Sequence, residues 1–133
     1  LLGISVVIIS SLLIGFYLSH ERKVELENLL YHSLIVDFGN RVEKKIVTTE
    51  NGSTVFDVLN KTYEFEWKEY GELGKMILSI NGMKQNSTHS WIYYVNGILA
   101  DKAADKYVLT TNSTIEWFFL KNEDIMKLFS EKG

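Results

Sequence analysis

The side chains of this 133-residue chain that could do chemistry are few and scattered. Its three histidines, His20, His32 and His89, lack the spacing that sets two imidazoles on one metal ion, such as H-E-x-x-H along a helix. Each reads as a surface or half-buried residue. Cysteine is absent, which removes both disulfides and thiolate metal sites. Glu64, Glu66, Glu69 and Glu72 crowd one stretch, and paired carboxylates can bind a cation or divide acid and base work. Interleaved with Trp67, Lys68 and Tyr70, they read instead as the solvated edge of a strand. Ser53, Ser87 and Ser113 sit in turn segments, and neither a G-x-S-x-G elbow, a P-loop nor a G-x-G-x-x-G run is present. The expectation is a protein that is not an enzyme and keeps no resident metal or cofactor.

Other polar signals concern where the chain sits and what it meets. Four N-x-[ST] acceptor patterns begin at Asn51, Asn60, Asn86 and Asn112, each beside a turn signal. Their density points to a surface outside the cell that carries N-linked glycans. The net charge is −3, and Lys and Arg are dispersed rather than gathered in a stripe, so no nucleic-acid partner is expected.

The elements that would carry these residues fall into two parts. Residues 1–19, LLGISVVIISSLLIGFYLS, contain no charge, and as a helix they would span about 28 Å, close to the hydrocarbon core of a bilayer. Ser11, Gly15 and Ser19 recur every four residues and would form one close-packing helix face. The chain begins on Leu1 with no basic leader before the apolar run, as prepilin processing would leave it. HERKVELENLL continues with good helix formers, extending the apolar helix into a stalk over residues 1–30. In these features the N-terminal part resembles archaeal type IV pilins. The resemblance implies a membrane-inserted precursor whose helices later pack against copies of themselves as a filament core.

From residue 31 the period changes. YHSLIVDF and RVEKKIVTT read as a strand pair around Gly39-Asn40, and TVFDVLNKTY as a short helix capped by Thr54 or Ser53. EFEWKEY, KMILSI, WIYYV and IEWFFL read as further strands, with Met76, Leu78 and Ile80 sharing one face. Asn81-Gly82 and Asn96-Gly97 are hairpin turns, and the tail offers a last helix through Ile125, Leu128 and Phe129. Two strands, a helix and then more strands is a β-grasp order. The fold class expected is α+β: a long apolar N-terminal helix, then a head over 31–133 with a mixed sheet and one helix.

Four stretches of that head, HSLIVDFGN, GSTVFDVLN, MILSINGM and SWIYYVNGILADKAADKYVLTTNSTIEWFF, resemble the transcobalamin C-terminal-like domain family, a ubiquitin-like β-grasp module. The resemblance implies that Trp91, Tyr93, Tyr94 and Asn96 form a ligand-facing edge, with a cobalamin-like corrinoid as the ligand. The residues alone favour a plainer reading, in which Trp91, Tyr93 and Val95 fill a sheet face and Asn96-Gly97 closes a type I′ turn. Two functions follow from the sequence. The first is a structural subunit of an extracellular pilus-like filament, cored by the helices and sheathed by the heads. The alternative is an anchored surface module that binds a cobalamin-type cofactor or a protein partner.

Overall fold

A computed structural model describes residues 28–132. In chain order its elements are β1 (Leu29–Asp37), β2 (Val42–Glu50), α1 (Val55–Thr62), β3 (Phe65–Glu69), β4 (Lys75–Ile80), β5 (Met83–Lys84), β6 (His89–Val95), β7 (Ile98–Leu99), β8 (Thr114–Lys121) and α2 (Asn122–Lys132). The strands form a five-stranded sheet in the order β2-β1-β8-β6-β7 and a separate three-stranded sheet, β3-β4-β5. The larger sheet is mixed, because β1 and β8 run parallel while its other pairs are antiparallel.

Alternation builds the core. Leu34 and Val36 from β1, Trp91, Tyr93 and Val95 from β6, and Ile115 and Trp117 from β8 all point to one face of the large sheet. Helix α1 lies against that face through Val55, Val58 and Leu59, each fully buried. At about 1.5–3 kcal/mol per buried aliphatic side chain, these three residues anchor the helix far more strongly than eight residues of helix propensity would. Its start is set by a capping box: the Thr54 hydroxyl accepts from the Asp57 N–H at 3.2 Å, and the Thr54 N–H donates to the Asp57 carboxylate at 2.9 Å.

The α+β expectation is corrected here. The described part is mostly strand, in two sheets rather than one, and carries two short helices. The long apolar helix expected over residues 1–30 does not reach its predicted end, since Leu29 and Leu30 already pair with Glu50 and Thr49. Ser11, Gly15 and Ser19, the proposed helix-packing face, lie outside the described residues, as does His20. Among the described residues no helix is long and apolar enough to cross a membrane. The transmembrane and pilin readings therefore gain no support.

Two local expectations also shift. Met76, Leu78 and Ile80 were expected to share one face, yet Ile80 is buried together with Ile77 and Ser79 while Met76 stands in solvent. An irregularity between Glu66 and Trp67 shifts the β3–β4 register by one residue, and a one-residue shift exchanges the faces of a strand. His32, read as a surface or half-buried group, is fully buried. Its Nδ1 accepts from the Ser113 N–H at 3.1 Å, which places the proton on Nε2, 2.9 Å from the Thr49 hydroxyl. Burial holds its pKa below the ordinary histidine value.

Candidate functional site

The residues singled out from the sequence do not form one surface. The Trp91 and Tyr93 side chains point into the core face, and the polar atoms of both side chains are already used. The Trp91 indole N–H donates to the Met83 carbonyl at 2.9 Å, and the Tyr93 hydroxyl to the Lys102 carbonyl at 2.6 Å. Burial, with Tyr107, Asp101 and Asp105 nearby, pushes the Tyr93 phenol well above its usual pKa. Tyr94 lies on the opposite face of the sheet, with its ring edge-on to Phe118 at 5.4 Å. Asn96 occupies the β6–β7 turn at φ 51°, and its side-chain oxygen accepts from the Thr114 N–H at 2.9 Å. Glu64, Glu66, Glu69 and Glu72 stay in solvent, and among the described residues no group of three or more His, Asp or Glu side chains could hold a metal ion. Asn51, Asn60, Asn86 and Asn112 are all exposed.

What the structure does build beside β6 is a groove of about 990 Å³. Its base is the margin of β6 from Ser90 to Tyr93. One wall comes from the three-stranded sheet and the 3-10 turn before β4, through Leu73 and Met76. The other comes from α2, through Ile125, Met126 and Phe129. Leu73, Met76, Met126 and Phe129 are 76%, 47%, 73% and 42% exposed, so four large apolar side chains from three elements face one unfilled space. Scattered apolar residues on a surface need no explanation, but convergent ones mark a contact site. Two of them are methionines, whose flexible thioethers adapt to irregular partners.

The walls are held by specific contacts. The loop between β7 and β8 is tied to β4 because the Asp105 carboxylate accepts from the Lys75 N–H at 2.8 Å. That approach needs a glycine before it. A Cβ on Gly74 would stand 2.5 Å from the Asp105 carboxylate and 2.9 Å from the Ala103 Cβ, at a φ of +100°. Helix α2 is fixed at its start, where the Ser90 hydroxyl donates to the Asn122 side-chain oxygen at 2.7 Å, and at its end, where Lys132 donates to the Leu99 carbonyl. None of the four sequon asparagines lines the groove.

The apolar spacing of the tail made Ile125 and Phe129 legible as one helix face, but nothing in the sequence said that this face would stay open. Leu73 and Met76 were missed. The available sign was an apolar residue held between Gly71 and Gly74, a loop in which it has no strand face to fill.

Comparison with known proteins agrees with this architecture. The fold is similar to part of haptocorrin in its crystal structure in complex with Cbi, with a TM-score of 0.64 and 24% sequence identity, over 70% of this chain. This chain spans 25% of that haptocorrin chain. It is also similar to a protein from Ruminococcus gnavus ATCC 29149 described as metal binding, with a TM-score of 0.55 and 14% identity, over 70% of this chain and 98% of that one. At these identities the likeness establishes the fold, and it supports the transcobalamin-like head; neither relative is a pilin, and the pilus reading is set aside. No curated protein gives a significant match. A family model matches residues 52–121, more than half of the chain and including α1, β6 and β8. The chain therefore belongs to the family described as domain of unknown function DUF4430.

Proposed function

We propose that this chain is a binding module displayed outside the cell, and that it holds its ligand in the groove between β4 and α2. The observation that carries the reading is the convergence of Leu73, Met76, Met126 and Phe129 on one open space beside β6. An apolar groove of this volume, with a few polar groups at its margin, has the form of a small-ligand site. Placement outside the cell is supported by four exposed sequon asparagines, none of which lines the groove. The reading assigns no reaction to the chain. Its narrower version takes a corrinoid as the ligand, supported by the likeness to haptocorrin in complex with Cbi.

The test is saturable binding of an environment-sensitive apolar dye, bis-anilinonaphthalene sulfonate, to the whole chain, followed by displacement with cobinamide. The reading predicts that dye binding weakens at least about tenfold in Met126→Glu, since a carboxylate placed among apolar walls opposes an apolar ligand. Binding unchanged in that variant overturns the groove as the site. Dye bound in the groove but not displaced by cobinamide overturns the corrinoid version alone.

A further inference from the structure

The base of the groove is a stretch of sheet edge whose backbone groups have nothing to pair with. The β6–β8 ladder fixes which groups these are. Ala100 donates its N–H to the Tyr93 carbonyl at 3.1 Å, and Val95 pairs with Ile98, so the odd-numbered residues of β6 turn their N–H and C=O away from β8. The flanking bonds agree: Asn96 donates to Thr114 at 2.8 Å and Asn122 to Thr88 at 2.7 Å, which puts the even-numbered residues on the β8 side. On the far side β7 accompanies β6 for two residues only and then leaves at Ala100. The Trp91 N–H and C=O and the Tyr93 N–H are left facing the place where β7 would have continued. Among the described residues none of the three has a partner. His89, the next odd residue, is already satisfied by Asn86.

That place is the groove, and its walls stand above and below the plane of the sheet. Ile77 of β4 belongs to the core that Trp91 and Tyr93 enter, so the β4 wall lies on the core side. Ser90, whose side chain points the other way, touches the start of α2, so the α2 wall lies on the outer side. An extended chain laid beside Trp91 would project alternate side chains toward Leu73 and Met76 and toward Met126 and Phe129. Both sets would meet apolar surface.

The other margin of the sheet is built differently. Edge strand β2 is nine residues long and carries Lys44 and Lys45 in solvent, the usual protection of an edge against pairing. The β6 segment from Ser90 to Val95 carries no charge.

We infer that the groove takes an extended peptide segment, apolar on both faces, which adds to β6 as a short strand through the backbone of Trp91 and Tyr93. This rests on the reading of the groove as the binding site and names its occupant. Main-chain bonds give such a complex its register, and the alternating pockets its selectivity.

The experiment uses the whole chain and a degenerate pool of blocked hexapeptides of Val, Ile, Leu and Thr, with a matching pool N-methylated at every residue, which leaves neither edge of the peptide able to pair. Amide hydrogen exchange at Trp91 and Tyr93 is followed by NMR, alongside displacement of the dye. The expected result is exchange slowed by at least about tenfold at both amides with the first pool and unchanged with the second. Dye displaced by both pools without protection of either amide overturns strand addition and leaves the groove reading intact. Dye bound but displaced by neither pool also overturns the peptide inference alone. If neither dye nor peptide binds, both readings fall.

Discussion

Helix α1 has eight residues and buries Val55, Val58 and Leu59 completely; helix α2 has eleven and buries none. Each follows a turn or strand of the same domain and each presents an apolar side to the large sheet. The difference lies in what meets that side. Under α1 the sheet offers a continuous face of Leu34, Val36, Ile115 and Trp117, and the two surfaces close on each other. Under α2 the sheet runs out at β6, so Ile125, Met126 and Phe129 overhang an edge and form a wall. Packing free energy has been taken up on one side of the molecule and left available on the other. Stability and binding should therefore separate cleanly by mutation.

The largest expected effect is on the closed side. Leu59→Ala removes buried methyl groups from a side chain that is 0% exposed, and about 2–5 kcal/mol of stability should be lost in urea denaturation. A loss under about 1 kcal/mol would mean that α1 is not the anchor described.

Gly74→Ala comes next and acts where the two sides are joined. Gly74 has φ 100° and ψ −162°, a region essentially confined to glycine, so a side chain there costs on the order of 1–3 kcal/mol before its clash with Asp105. The variant should be destabilised and should also lose dye binding, because the clash pushes the 100–106 loop off β4. Full dye affinity in a destabilised Gly74→Ala would show that the loop does not shape the groove.

The third prediction uses His32 on the closed side. Its folded-state pKa is lowered, so the unfolded chain takes up the proton first as the medium is acidified. The stability owed to the neutral ring is complete above about pH 6.5 and is lost as the pH falls from there through the folded value. The slope can reach about 1.4 kcal/mol per pH unit for one proton. A proton on Nδ1 would face the Ser113 N–H, a donor against a donor. Urea midpoints between pH 5 and 8 should fall with pH in the natural chain and much less in His32→Gln. Parallel profiles would refute the assignment.

The smallest stability effect belongs to the open side. Phe129→Ser removes a 42%-exposed ring and should change stability by no more than about 0.5 kcal/mol while weakening dye binding. Marked destabilisation would mean that α2 is part of the core after all.

The sequence made the closed side legible and the open side obscure, for physical reasons. Val55, Val58 and Leu59 repeat at helical spacing after a Thr54–Asp57 capping pattern, and Leu34, Val36, Trp91, Tyr93, Ile115 and Trp117 alternate as strands covered on one face must. Such signals are local. The position of Met76 was not, since it depends on a register shift against β3 that no periodicity reveals. His32 looked isolated because its partners, Thr49 and Ser113, are brought to it by β2 and the entry to β8. The side chains of the WIYYVNG stretch face inward or away; what it lends to the groove is backbone, which a sequence does not display. The two-sheet division was equally invisible, because β3, β4 and β5 alternate much as the strands of the larger sheet do.

The most direct test is a map of backbone amide chemical shifts of the whole chain during titration with the peptide pool and, separately, with cobinamide. For any ligand that binds, perturbations should gather on Leu73 to Ile77, Ser90 to Tyr93 and Asn122 to Phe129, while Val55 to Thr62 of α1 stay unmoved. Perturbations centred on α1 or on the outer margin of β2 would contradict the account.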